Sequence, residues 1–238
     1  MQNQHVLIIG GSSGIGFAAA RQMINLGYKV TIAARTAAKL EAAKCALNNG
    51  ADTIILNATD ADAIRDAYNA LGAFDHLVLA LGSSKGAGAF ATVSLEEVRQ
   101  GFEEKVFTHF LCAQTALPFL TPCGSITFIS AVTAHAAMPG TAGIGAANAA
   151  VAALVPILAA ELRPLRVNGV SPGVIDTPWW DFLSTEQKTQ VFADFKSKTP
   201  VDRIGRSDDV AQAISFLISN TYMNGHIIIC DGGIRLTT

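Results

Sequence analysis

Short apolar runs alternate with longer amphipathic stretches along almost the whole chain. The short runs, Val6–Ile9, Lys29–Ala33, Thr53–Leu56, His76–Ala80, Ser125–Ser130, Arg166–Val170 and His226–Cys230, have the length and the apolar content of strands. Between them lie stretches that read as helices, over Ile15–Leu26, Ala37–Asn48, Ala61–Leu71, Leu95–Leu120, Ile144–Leu162 and Asp208–Ser219. Strand, helix, strand, repeated in this way, closes right-handed crossovers and builds a parallel sheet. The expected fold class is α/β, a single domain with a doubly wound parallel sheet of seven strands and helices on both faces. Ligands bind to such sheets beyond the carboxyl ends of the strands, where the strand order reverses.

One segment breaks the alternation. Pro172–Val201 holds Trp179, Trp180, Phe182, Phe192 and Phe195 among polar residues. Aromatics in a long connection form either a satellite cluster or a binding surface. This connection leaves a strand's carboxyl end, so residues 173–201 are read as a lid over the ligand crevice. The aromatic content suggests an apolar or flat small-molecule substrate.

Composition narrows the partners. The 238 residues are 50% hydrophobic and 15% charged, which suits a sheet covered on both faces. The net charge of −2 and the absence of a basic run leave no footprint for nucleic acid or an anionic membrane, and neither is expected as a partner. Cys45, Cys112, Cys123 and Cys230 are scattered without metal-ligand spacing, so no metal is expected and the thiols read as buried and reduced in a cytoplasmic protein. HVLIIGG, starting at His5, has no charged leader and is too short to span a bilayer.

Directly after the first strand comes GGSSGIG, Gly10 to Gly16, which opens a helix. Glycines let backbone N–H groups approach a pyrophosphate, and the helix amino terminus adds positive potential there. The second strand ends in Ala34, Arg35 and Thr36. An acidic residue at that point would hydrogen-bond ribose hydroxyls and repel a phosphate, whereas a cation and a hydroxyl favour NADP(H) over NAD(H). Arg35 also has the plainer reading of a solvated surface arginine.

These residues resemble the short-chain dehydrogenase/reductase family over nearly the whole chain. GGSSGIG resembles the family's TGxxxGIG turn, with Ile9 in place of Thr. FDHLVLALG resembles the segment ending in NNAG, RVNGVSPGVIDTP resembles the PG motif beside the nicotinamide, and NGHIIICDGG resembles the closing strand and turn. The resemblance implies a Rossmann-type fold in which Gly10, Ser12, Ser13, Gly14, Ile15 and Gly16 hold the phosphates. It places Asn57 and Ala58 at the adenine, Ala80 and Gly82 beside the ribose, and Pro172, Gly173, Ile175 and Thr177 around the carboxamide.

The catalytic half departs from the family pattern. Aligned without gaps, the family's Ser position is Ala131, its Tyr position Ile144, its Lys position Asn148 and its Asn position Lys105. A well-placed acid/base contributes ~10²–10⁴ in rate, and Ile144 transfers no proton. Cation and amide have changed places, so Lys105 can restore positive charge from the neighbouring helix. Val98, Phe102, Lys105, His109 and Cys112 recur three and four apart, which predicts that this face is buried. A lysine there either takes a partner and a lowered pKa or snorkels to the surface. Lys105, Asn148 and His135 are the candidate catalytic residues. Ser83, Ser84, Thr133 and Thr141 are further polar neighbours, and Asp176 reads as structural, a cap at the start of the lid.

Two features bear on assembly. AANAAVAALVPILAAEL resembles the helix that family members pack against a symmetry mate, implying a homo-dimer or homo-tetramer, and Pro156 inside it predicts a kink. The function read from the sequence is an NADP(H)-dependent oxidoreductase with an atypical site. The alternatives are a non-catalytic cofactor-binding sensor or partner subunit, and a redox-neutral enzyme on the same scaffold.

Overall fold

A computed structural model describes residues 4–238. Its strands are β1 (His5–Ile9), β2 (Lys29–Ala34), β3 (Asp52–Ile55), β4 (Phe74–Leu79), β5 (Leu120–Ile129), β6 (Arg166–Pro172), β7 (Ile175–Asp176), β8 (Gly205–Arg206) and β9 (Ile227–Cys230). Seven of them form one parallel sheet in the order β3-β2-β1-β4-β5-β6-β9, while β7 and β8 pair with each other. The order reverses between β1 and β4, so the fold is the expected Rossmann-like single domain and its crevice opens above that switch point.

Helices α1 (Gly14–Asn25), α2 (Ala37–Ala46) and α8 (Ser207–Ser219) cover one face of the sheet. Helices α3 (Ala61–Leu71), α5 (Thr108–Ala116) and α6 (Ala142–Glu161) cover the other. The period of two along β1 decides which residue goes where. Val6 and Ile8 pack with Ala19, Met23, Leu40 and Ile214, while Leu7 and Ile9 pack with Ile64, Tyr68, Cys112 and Val151. Both sets are essentially fully buried, which is why the strand shows no polar alternation in the sequence.

Four sequence expectations change. The helix expected over Leu95–Leu120 is divided: α4 (Leu95–Phe102) passes through a π-turn at Glu103–Phe107 into α5, and the chain enters β5 at Leu120, ahead of the expected Ser125. Apolar periodicity runs on through the π-turn and so conceals it. The aromatic connection contains a helix, α7 (Thr185–Lys198), opened by a capping box between Ser184 and Gln187. None of its residues is fully buried, so it lacks the apolar stripe that reveals the other helices, although Ser-x-x-Gln was a readable start signal. Asp176 is no cap: it pairs with Lys188 at 2.8 Å, and Thr177 caps the turn at Pro178–Trp180 instead. All four cysteines are free, but Cys45 and Cys123 are exposed.

Helix α6 continues through Pro156 as one element, packing Ala147, Val151, Val155 and Ala159 inward. At 20 residues it is long and apolar enough to cross a bilayer, yet here it lies along the sheet as a covering helix. Buried Arg166 of β6 holds the end of α8. Its guanidinium donates to the carbonyls of Leu217, Ile218, Asn220 and Met223 at 2.7 to 3.2 Å. Arg166→Met strands these acceptors, and we expect a loss of about 2–4 kcal/mol, read as a lower urea midpoint at unchanged m-value.

Candidate functional site

The carboxyl ends of β1, β2, β4, β5 and β6 frame a crevice of about 570 Å³, within the size range of small-molecule sites. The turn after β1 forms its floor. Gly10 has φ of 85° and its N–H donates to Ala33 O at 2.8 Å. A side chain on Gly10 would run into the carbonyl of Ala80, and one on Gly16 into the carbonyl of Gly10, so both positions require glycine for close approach. Ser13 occupies the N-cap of α1 in extended backbone but makes no side-chain capping bond. The opening amides of α1 thus lack a side-chain acceptor and stand at the crevice, where the helix amino terminus favours an anion.

Every residue that the sequence assigns to dinucleotide contact lines this crevice: Gly10, Ser12, Ser13, Gly14, Ile15, Gly16, Arg35, Thr36, Asn57, Ala58, Ala80, Gly82, Pro172, Gly173, Ile175 and Thr177. Thr177 packs against Gly14, bringing the segment that follows β6 onto the glycine turn. Asn57 spends its side-chain oxygen on the N–H and hydroxyl of Thr59. Sequence reasoning missed Lys39, one helical turn beyond Arg35, which adds a second cation at that end. The uncapped helix and the glycine turn fit a dinucleotide, with Arg35 and Lys39 placing two cations at one end of the crevice.

At the other end, Ala131 and Ile144 line the wall and offer no proton. Lys105 does not snorkel. It is 7% exposed, and its Nζ donates to Leu81 O at 2.9 Å and Ile129 O at 2.8 Å, at the ends of β4 and β5. Burial lowers its pKa to about 7. The π-turn that delivers it frees backbone acceptors, which side chains take up: Thr108 Oγ1 donates to Glu104 O at 2.7 Å, and His109 Nδ1 lies 2.6 Å from Lys105 O. His109 Nε2 also faces Leu79 O at 3.1 Å. Burial first, and Lys105 second, push the imidazole to about 3, so it is neutral and its one N–H serves one carbonyl at a time.

Asn148 also lines the crevice. Its Nδ2 donates to Ile144 O at 2.9 Å and to Thr133 Oγ1 at 3.1 Å, leaving its buried Oδ1 without a partner. Thr133 lines the crevice with its own hydroxyl proton uncommitted among the described residues. Thr141 lines it too, but its hydroxyl donates to Met138 O. His135 lies elsewhere: the short turn Val132–Ala134 leaves its ring exposed, outside the crevice lining. Glu104 was not foreseen. It is the one acidic side chain among the described lining residues, and it accepts from Ser83 Oγ at 2.7 Å. No cluster of three or more metal-ligating side chains occurs among the described residues.

Comparison with known proteins agrees with this geometry. Residues 10–235 match the family model described as enoyl-(acyl carrier protein) reductase. The 3-oxoacyl-(acyl-carrier-protein) reductases of Bos taurus and Rattus norvegicus are 30% and 28% identical, each match covering 97% of both chains. A crystal structure of a small-chain dehydrogenase in complex with NADPH superposes with a TM-score of 0.87 at 30% identity, over 99% of this chain and 100% of that one. A short-chain type dehydrogenase/reductase from Mycobacterium ulcerans gives a TM-score of 0.90 at 27% identity, over 100% and 91%.

The position of Lys105 has a measurable consequence. Its folded pKa, about 7, lies below its unfolded value, so between the two the unfolded chain binds more protons. Stability therefore rises with pH from about 7 towards the ordinary lysine range of ~10, and is level below about 7, where both states hold the proton. Lys105→Met should flatten this part of the pH profile by up to about 1 kcal/mol per pH unit, as measured by urea unfolding at successive pH values.

Proposed function

Because the chain belongs to the short-chain dehydrogenase/reductase family, we propose that its oxidoreductase chemistry is NADP(H)-dependent hydride transfer carried out in an atypical active site. A bound dinucleotide supplies the hydride donor or acceptor; the chain supplies its binding, orientation and electrostatics. The amides opening α1 and the Gly10–Gly16 turn receive the pyrophosphate. Arg35, Thr36 and Lys39 favour the additional phosphate of NADP(H), a preference also supported by the NADPH bound to the solved relative. Asn57 and Ala58 stand at the adenine, Ala80 and Gly82 beside the ribose, and Pro172, Gly173, Ile175 and Thr177 at the carboxamide.

The observation that carries the reading of the reacting end is Lys105 Nζ, fixed on Leu81 O and Ile129 O. It occupies the family's Asn position and returns to the crevice the cation that Asn148 removed. A lysine with a pKa of about 7 can hold or release a proton near neutrality. Asn148 aligns Thr133, whose free hydroxyl proton can orient a substrate atom. With Ala131 and Ile144 in the Ser and Tyr positions, reactions that need no strong proton donor fit best: reduction of a conjugated alkene or an iminium. Residues 173–201 form the lid, with Trp179 and Trp180 lining the crevice and favouring an apolar or flat substrate. Exposed Phe107, Phe110 and Ile157 on the α5 and α6 side support a homo-oligomer.

A second reading rests on the same apolar wall. Ala131 and Ile144 suit a non-catalytic NADP(H)-binding sensor or partner subunit, or a redox-neutral enzyme. Titration with NADPH and NADH, followed by NADPH absorbance across ketones, enones and iminium ions, separates the readings. Oxidation of NADPH by at least one class is the expected result; tight binding with no oxidation favours the sensor. Arg35→Ala should weaken NADPH binding by roughly tenfold while leaving NADH affinity nearly unchanged.

A further inference from the structure

Adding hydride to a neutral carbonyl or enone places negative charge on oxygen, which calls for a proton donor or a cation beside it. Ala131 and Ile144 supply no such donor, Lys105 holds its ammonium on two strand-end carbonyls, and beside them the crevice is lined by a carboxylate, Glu104, and by a further cation, Lys85. Glu104 lies in the π-turn, and its head group is fixed at both oxygens: Oε2 accepts from Ser83 Oγ at 2.7 Å and Oε1 from Gln100 Nε2 at 2.7 Å. Both donors are neutral, and Glu104 forms no direct ion pair among the described residues, so its charge is oriented without a cation in contact, although Lys85 and Lys105 line the same crevice. The next residue, Lys105, spends two of its N–H groups on strand-end carbonyls.

The lid meets the same point. Trp179 Nε1 donates to Ser83 O at 3.1 Å, so one residue ties the lid indole to the carboxylate. Trp179 and Trp180 pack edge to face with centroids 4.7 Å apart, and both line the crevice with Glu104. A carboxylate with no cation in contact, set beside aromatic rings, is the chemistry that receives an organic cation. We infer that the substrate is an iminium ion, with Glu104 as its counter-ion and the lid indoles against its apolar body.

This rests on the oxidoreductase reading above and accounts for the residues that reading leaves without a task. The iminium carbon gains a C–H bond from the hydride of the reduced dinucleotide, and the C=N π pair moves to nitrogen as a lone pair. The products are a neutral amine and the oxidised dinucleotide. No proton is exchanged, so an Ile in the Tyr position costs nothing. Glu104 becomes the specificity-determining residue of the site.

The test uses the full chain with N-methyl-dihydroisoquinolinium as the cation, tetralone as its neutral counterpart and naphthoate as an anion. Substrate reduction is followed by NADPH absorbance. Binding to the NADP⁺ complex is followed by tryptophan fluorescence, since both tryptophans of the chain line the crevice. The cation should bind and be reduced, and Glu104→Gln should weaken its binding roughly tenfold or more while leaving tetralone binding and NADPH affinity unchanged; that retained affinity also shows that the variant is folded. In the wild-type protein, added salt should weaken the cation and not tetralone, a readout that needs no variant.

Equal binding of cation and tetralone, an unaffected Glu104→Gln, or preferential binding of naphthoate that is lost in Lys85→Ala overturns the inference. NADPH oxidation by a neutral enone with the cation excluded removes this inference and keeps the oxidoreductase reading. Glu104-dependent cation binding with no NADPH oxidation keeps Glu104 as a cation site and overturns both the iminium substrate and the oxidoreductase reading.

Discussion

Lys105 carries its ammonium to the carbonyl oxygens of Leu81 and Ile129, where two neighbouring central strands end. An unpaired charge at that depth would cost several kcal/mol, so the arrangement around it is constrained. The helix running from α4 to α5 has to loosen into a π-turn to bring the side chain inward, and the acceptors this frees have to be taken up by Thr108 and His109. His109 in turn stays neutral because it is buried beside Lys105. The same turn presents Glu104 to the crevice. One buried cation thereby fixes the helix geometry, the protonation of its neighbour and the charge pattern at this end of the crevice.

The opposite end of the crevice obeys a different constraint, set by backbone rather than charge. Gly10 and Gly16 let two chain segments approach more closely than any side chain would allow, and the start of α1 is left without a side-chain cap. A cap would stabilise the helix by about 1 kcal/mol. Its absence is the local cost of keeping amides available to an anion. The two ends thus differ in kind, one built from free backbone amides and the other around a buried cation.

The sheet was legible in the sequence because each central strand is apolar on both faces and each covering helix has an apolar stripe. The phosphate turn was legible because its glycines fall between strand and helix. What stayed hidden has a physical cause in each case. The π-turn keeps the helical spacing of its apolar residues, so periodicity alone carries straight through it. Helix α7 buries none of its residues fully, and only the Ser184–Gln187 pair announced it. Lys39 and Glu104 read as ordinary solvated charges, because their significance depends on which segments the fold sets opposite them. The burial of Lys105 was suggested by its neighbours at three- and four-residue spacing, whereas its acceptors are backbone atoms that no side-chain pattern records.

The β7–β8 pair gives the segment over the crevice a particular freedom. Ile175 faces Gly205 and Asp176 faces Arg206, so the excursion through α7 leaves and returns at one clasp. Everything between is a loop closed at its own base, and the entropy of closing such a loop grows only logarithmically with its length. Between its anchors at Thr177, Trp179 and Val201, the excursion can change length at little cost in closure entropy. The scaffold can therefore change what it admits without renegotiating how it folds.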